Sequence, residues 1–217
     1  TKTILGIQPY KEFKYNLSEK HKLANSIISG GYILFFRHAE REKWIDVAMY
    51  DALESNQNKL GENEDFKKAV CLSERGIIQA NTMGQIIEEL GIPVERVISS
   101  PSCRARQTAN LVFGGYNEIN DLYLHRGPFY EDEKDVMKII KKDLSKIRIF
   151  YGKNIIISGH NGVIGKDIFD EIENNVEFNL EEGGFFVIKN KDGKLILINK
   201  FNTFQDFNHH FNFREYD

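Results

Sequence analysis

Three short stretches of this 217-residue chain carry side chains that could together hold and attack an anion. Arg37 and His38 follow the apolar run Tyr32-Ile33-Leu34-Phe35-Phe36. Arg104 follows Val97-Ile98-Ser99-Ser100, and His160 and Asn161 follow Ile155-Ile156-Ile157-Ser158. Continuous apolar runs of this length suit strands buried on both faces of a parallel sheet. In open α/β sheets, ligands bind beyond the carboxyl ends of the strands. Three strand ends therefore deliver two arginines and two histidines to one rim, and Glu40 is the one carboxylate in the immediate turns. A pocket so lined is strongly cationic and suits a dianion such as a phosphoryl group. Arginine offers forked donors that match phosphate oxygens, and the start of a helix over 101–113 would add backbone donors and a positive dipole. A neutral imidazole can attack phosphorus and become phosphohistidine, which splits hydrolysis into two easier steps. Neighbouring arginines would spread the charge of the transition state. A carboxylic acid would still be needed to protonate the leaving oxygen.

The elements that must position these groups alternate. Ser18 caps a helix carrying Leu23, Ala24, Ile27 and Ile28 on one face, and Gly30-Gly31 end it. Ser73 opens a long helix with Glu74 in its first turn and Ile77, Ala80, Met83, Gly84, Ile87 and Leu90 on one face, closed by Gly91 and Pro93. Ser100-Pro101 reads as a cap followed by proline at the first helical position. Ala105, Thr108, Ala109 and Val112 form the inner face of that helix. Another helix carries Val136, Ile139, Ile140, Leu144 and Ile147 inward. The turn Gly159-His160-Asn161-Gly162 leads into an expected helix with Ile164, Ile168 and Ile172. Asn190-Lys191-Asp192-Gly193 joins two strands as a hairpin that could form an antiparallel edge. Strands alternating with helices predict an α/β fold, a mostly parallel sheet with helices on both faces. The whole of 1–217 reads as one domain with loop insertions at about 40–70 and 116–133, the first of which could act as a lid.

Composition narrows the partners. The chain is 41% hydrophobic and 28% charged, an ordinary globular balance that excludes disordered and fibrous classes. A net charge of −3 and a pI near 6.1 leave no basic footprint for nucleic acid. No apolar stretch nears the roughly 20 residues of a membrane span, so no membrane partner is expected. Two cysteines, Cys71 and Cys103, exclude a disulfide framework and a four-cysteine zinc site. The favoured reading leaves them unpaired, with one bridge open to them in an oxidising compartment. Asp206 with His209-His210 hints at a metal, but neighbours on a strand point to opposite faces, so no metal site is expected. Phe201, Phe204, Phe207, Phe211 and Phe213 recur at helical spacing and read as a packed C-terminal flap. His21 reads as part of a solvated face. Oligomeric state is not legible.

Phe36-Arg37-His38-Ala39-Glu40, the stretch Ser99 to Ala109, and Ser158-Gly159-His160-Asn161 resemble the histidine phosphatase superfamily, the phosphoglycerate mutase-like fold. Leu72-Ser73-Glu74-Arg75-Gly76 is also similar. The resemblance covers about residues 30–190 with its motifs in the family's order. It implies that His38 is the phosphorylated nucleophile, that Arg37 and Arg104 bind the phosphate, and that His160 is the second pocket histidine, catalytic and phosphate-binding, with Asn161 beside it as a further phosphate-binding residue. It assigns no role to Arg106. Ala39 stands where many members have glycine, and Asn161 stands where the phytase-like branch has its acidic aspartate. The acid is therefore sought in Arg126-Gly127-Pro128-Phe129-Tyr130-Glu131-Asp132-Glu133, with Glu131 first, Glu133 and Asp132 behind it, and Glu40 a further candidate by position. The leading expectation is a metal-independent, cofactor-free phosphatase acting on a phosphorylated small molecule or phosphoprotein. The alternatives are a non-catalytic phosphate-binding or regulatory domain on the same fold, and a mutase-type isomerase. The approach Gly30-Gly31-Tyr32-Ile33-Leu34 looks like small exported members of the superfamily. With Thr1 in place of an initiator Met, it tips the expectation toward export rather than the cytoplasm.

Overall fold

A computed structural model describes residues 18–41, 70–124 and 133–211, without the side chains of 133–135. Helix α1 (Glu19–Ile28) precedes strand β1 (Ile33–Arg37). Then follow α2 (Glu74–Glu89), β2 (Val94–Ser99), α3 (Cys103–Phe113), β3 (Glu118–Ile119), a short 3-10 turn (Asp121–Tyr123) and α4 (Glu133–Ser145). Next come β4 (Asn154–Gly159), a second 3-10 turn (Lys166–Ile168), β5 (Glu171–Ile172), β6 (Phe185–Lys191), β7 (Lys194–Phe201) and α5 (Phe204–Phe211).

The seven strands form one sheet in the order β3-β2-β4-β1-β6-β7-β5. Strands β3, β2, β4 and β1 run parallel, while β6 is antiparallel to both β1 and β7. Alternation along β1 explains the two layers. Leu34 and Phe36 face a core shared with α1, α2, α3 and α5, and Ile33 and Phe35 face a second core shared with α4. A strand covered on both faces has no polar side to present, which is why its sequence is an unbroken apolar run.

The α/β architecture agrees with the sequence, and four local readings do not. The 185–201 hairpin enters the sheet beside β1 rather than forming its edge, because β5 covers β7. The helix expected after Gly162 is a 3-10 turn and a two-residue strand. Ser102, not Ser100, caps α3, its hydroxyl accepting from the Ala105 amide. Ile77 and Ile139, read as inward, are exposed, as is Ile28. The cysteines also correct the sequence reading, since Cys71 and Cys103 are disulfide-bonded across 32 residues of chain.

Two contacts fix the frame around β1. Buried Asn154 at the start of β4 accepts from the Tyr32 amide at 3.2 Å and donates to the Ile27 and Pro93 carbonyls at 2.8 and 3.1 Å. It ties the ends of α1, β1 and the approach to β2 together. We expect Asn154→Ala to strand the Tyr32 amide, while the Ile27 and Pro93 carbonyls keep the Gly30 and Asn154 amides, and to lower stability by about 2 kcal/mol, read by denaturant unfolding. At the other end, Gly76 in α2 lies so close to residue 40 that an added Cβ would come within 1.9 Å of the Glu40 carbonyl oxygen. Only glycine lets the first turn of α2 seat directly on the backbone that follows His38.

Candidate active site

The register of the parallel strands assembles the site. Arg37 pairs with Gly159, so His38 and His160 leave neighbouring strands side by side, their ring centroids 5.2 Å apart. The His38 amide donates to the Gly159 carbonyl at 3.0 Å and the Ser100 amide to the Ser158 carbonyl at 2.8 Å. The three strand ends are thereby laced at one level, with Ser100 leading into α3 and Arg104.

His38 is 3% exposed, and its Nδ1 lies 2.7 Å from the Ala39 carbonyl oxygen. A carbonyl can only accept, so Nδ1 carries the proton, and in the neutral ring the lone pair sits on Nε2. Burial, and then the charges of Arg104, Arg37 and Arg41, hold His38 well below the usual imidazole range against the opposing pull of the Ala39 hydrogen bond. An unfolded chain takes a proton on this histidine near pH 6.5, whereas the folded one resists. Stability linked to His38 is thus complete above pH 6.5 and declines as the pH falls below it. The acid limb that His38 gives to kcat/KM should lie below 6.5 for the same reason, which a pH–rate profile checks.

His160 has the opposite tautomer. Arg104 Nη2 donates to its Nδ1 at 3.1 Å, so Nε2 carries the proton toward Ser100 Oγ at 2.8 Å, with Ser102 Oγ at 3.3 Å. Both nitrogens face protein groups, and the ring holds the guanidinium of Arg104, itself 1% exposed. Arg104 Nη1 also reaches the Val70 carbonyl at 3.4 Å, beside the disulfide. Thr108 Oγ1 donates to the Arg104 carbonyl at 2.8 Å and accepts from the Ala39 amide at 3.0 Å, joining α3 to the loop after β1. Arg37 donates from Nη1 to the Leu180 carbonyl and lies 3.5 Å from Glu182 Oε1. Asn161 Oδ1 accepts from the Leu180 amide at 2.9 Å, so its side chain anchors the same loop.

The sequence reading therefore brought together Arg37, His38, Arg104 and His160, with Asn161 at the rim. The proposed acid Glu131, with Asp132, lies outside the described residues, as do His125 and Arg126, and nothing is described of the Glu133 side chain. Glu40, the positional alternative, directs its carboxylate to Arg75 at 3.3 Å and to Ser73. Arg106 donates to the Pro101 carbonyl at 3.0 Å.

Sequence reasoning missed Ser100, Ser102, Thr108, Gln79 and Glu182. Gln79 clamps two loops, accepting from the Glu40 amide at 2.8 Å and donating to the Glu182 carbonyl at 3.0 Å. Glu182 is not legible from the carboxyl ends of the parallel strands. Strand β6 is antiparallel to β1, so its amino end, residues 180–184, reaches the same rim. There the Gly183 amide meets both the Arg37 and the His38 carbonyls, and the Arg37 amide meets Gly184.

Away from this rim, His209 and His210 lie on helix α5, not on a strand, and His210 bonds Asp206. His21, read as solvated, is half-buried against the His210 ring. Among the described residues, no group of three or more His, Cys, Asp or Glu side chains gathers as metal ligands. None of the described helices is long and apolar enough to cross a membrane.

Residues 33–122 match the family model of the histidine phosphatase superfamily (branch 1). The resemblance read from the motifs holds over this segment, which carries Arg37, His38 and Arg104. No curated protein sequence matches the chain. Among solved structures, the chain is similar to a candidate alpha-ribazole-5'-P phosphatase from Escherichia coli at 15% identity and a TM-score of 0.50, covering 78% of this chain and 95% of that one. It is also similar to the protein histidine phosphatase SixA complexed with tungstate (14%, TM-score 0.49, 79% and 96% covered). A third is a phosphoserine phosphatase mutant from Entamoeba histolytica in complex with phosphoserine (14%, TM-score 0.46, 81% and 98% covered). At 15% identity the likeness to the first of these speaks to the fold alone.

Proposed function

We propose, taking the match of residues 33–122 to the histidine phosphatase superfamily as the premise, that this chain hydrolyses phosphomonoesters through a phosphohistidine on His38. The observation that carries this reading is the fixed tautomer of His38. The Nδ1 proton is held by a backbone carbonyl, and the Nε2 lone pair sits in a buried cationic setting that disfavours its protonation. A histidine that merely bound phosphate would serve better as a cation.

In the first step Nε2 attacks phosphorus, an N–P bond forms, and the ester P–O bond breaks with its electron pair leaving on oxygen. Glu131 is the proposed acid that protonates that oxygen. In the second step water gives a proton to the Glu131 carboxylate left by the first step and attacks phosphorus, the N–P bond breaks with its electron pair returning to Nε2, and inorganic phosphate leaves. Arg37 and Arg104 take the equatorial oxygens and offset their charge. His160 keeps Arg104 in register, and Asn161 has amide hydrogens left to offer while its oxygen holds Leu180. Every step uses side chains alone, so the proposed reaction needs no metal or cofactor. The substrate is a phosphorylated small molecule or a phosphoprotein. We further propose an exported, oxidising setting, a reading supported by the Cys71–Cys103 bridge.

The test is a panel of phosphomonoesters with and without chelator, coupled to acid and alkaline quench of enzyme labelled from a radioactive substrate. The expected outcome is turnover indifferent to chelator, inhibition by vanadate or tungstate, and a protein-bound phosphoryl group that survives alkali and is lost in acid. Turnover abolished by chelator, or turnover with no labelled protein at any quench time, would overturn the reading.

A further inference from the structure

The opposite end of the sheet carries a feature that the site does not explain. Between α4 and β4, residues 150–153 make a tight turn in which the Lys153 amide donates to the Phe150 carbonyl at 3.1 Å. Gly152 at its third position has φ +73, the left-handed value such a turn requires there. This turn holds Phe150 and Tyr151 out of the protein, 64% exposed and fully exposed respectively. Ile28, also exposed, ends the neighbouring helix α1, where Gly30 packs on the Gly152 backbone and the Gly31 amide donates to the Lys153 carbonyl at 2.7 Å.

Cations surround these rings. Residues 138–153 contain Lys138, Lys141, Lys142, Lys146, Arg148 and Lys153 against one carboxylate, Asp143, in a chain whose net charge is −3. Asp143 is turned inward to accept from Tyr123 and Asn120. Lys141 pairs with Asp170, but Lys142, Lys146, Arg148 and Lys153 are exposed and meet no carboxylate among the described residues. Asp192 on the β6–β7 turn lines the same groove as Arg148 and Phe150, flanked by Lys191 and Lys194.

We propose that this turn is a docking surface for an anionic lipid bilayer. The rings are exposed on a turn beside Lys146, Arg148 and Lys153, and amphipathic aromatics flanked by Lys and Arg settle at the headgroup level. A protein partner would have to supply a pocket for two adjacent protruding rings, whereas a headgroup layer admits them as they stand. The expectation of no membrane partner rested on span length, and surface docking needs no span. The geometry also leaves the catalytic rim free. The turn precedes β4 and His160 follows it, so six residues of strand separate surface from site by about 20 Å.

Sedimentation with vesicles of phosphatidylcholine alone, and of phosphatidylcholine mixed with phosphatidylglycerol, tests the proposal. The wild-type chain should bind the mixed vesicles, bind the neutral ones far less, and release as salt is raised. Phe150→Ala with Tyr151→Ala should weaken binding by at least about tenfold, and Lys146→Gln, Arg148→Gln and Lys153→Gln together by roughly a hundredfold. Thermal unfolding of each variant should match wild type, since the altered side chains are exposed. No binding to anionic vesicles, binding indifferent to both variants, or binding to an acidic polypeptide but not to vesicles would each overturn the proposal.

Discussion

His38→Ala should lose activity by about 10⁴-fold or more in kcat, the scale seen when a nucleophile is removed from a preorganised site. It should form no labelled phosphoprotein. The loss should fall on kcat more than on KM. The phosphate cradle would survive, because Arg37 keeps its Leu180 contact and Arg104 keeps His160 and Val70. Tungstate should therefore still bind the variant, as calorimetry can measure. Binding retained with turnover lost separates a missing nucleophile from a collapsed site. Full turnover in the variant would refute the mechanism.

The second large effect concerns the disulfide. Cys103 immediately precedes Arg104, and Cys71 immediately follows Val70, whose carbonyl Arg104 reaches. Leu72 adds a further tie, its amide donating to Gln107 of α3 at 2.7 Å. The bridge thus joins the two segments between which the guanidinium lies. Loop-closure entropy over 32 residues gives about 3–4 kcal/mol of stability. We expect Cys71→Ser with Cys103→Ser to lose about that much in denaturant unfolding and to lower kcat/KM by at least about tenfold, the scale of misplacing one charged contact. Dithiothreitol should bring the wild type to the level of the double variant and leave the variant unchanged. A double variant with wild-type kcat/KM would show that Arg104 is held without the bridge.

Much of the fold was legible because few physical signals overlapped. Runs such as Ile33 to Phe36 and Ile155 to Ile157 admit no amphipathic reading, and Ser73 with Gly91 brackets the long helix cleanly. Legibility failed where a side chain answered to a distant partner. Ser100 looked like a cap and instead serves His160, which leaves Ser102 to cap α3. Ile164 and Ile168 have helical spacing, yet both are buried in the α4-side core in a segment tied down by one 3-10 turn and β5. The pairing of Cys71 with Cys103 needs Cys71 to lie against the start of α3, 32 residues further along the chain, which no local pattern encodes. Within the site, both arginines and both histidines were readable from strand ends. Glu182 and Leu180 were not, because they arrive from the start of an antiparallel strand.

Strand β1 lies between β4 and β6, and both partners are encoded more than a hundred residues downstream of it. During synthesis at about 5–20 residues per second, Ile33-Leu34-Phe35-Phe36 would leave the ribosome roughly 6–24 s before its first neighbour exists. For that interval the strand has two open edges, although α1 and then α2 and α3 can already cover one of its faces, and open edges invite pairing with other chains. The strand order therefore makes the closing of these two edges, rather than the formation of any one helix, a late event in the folding of the chain.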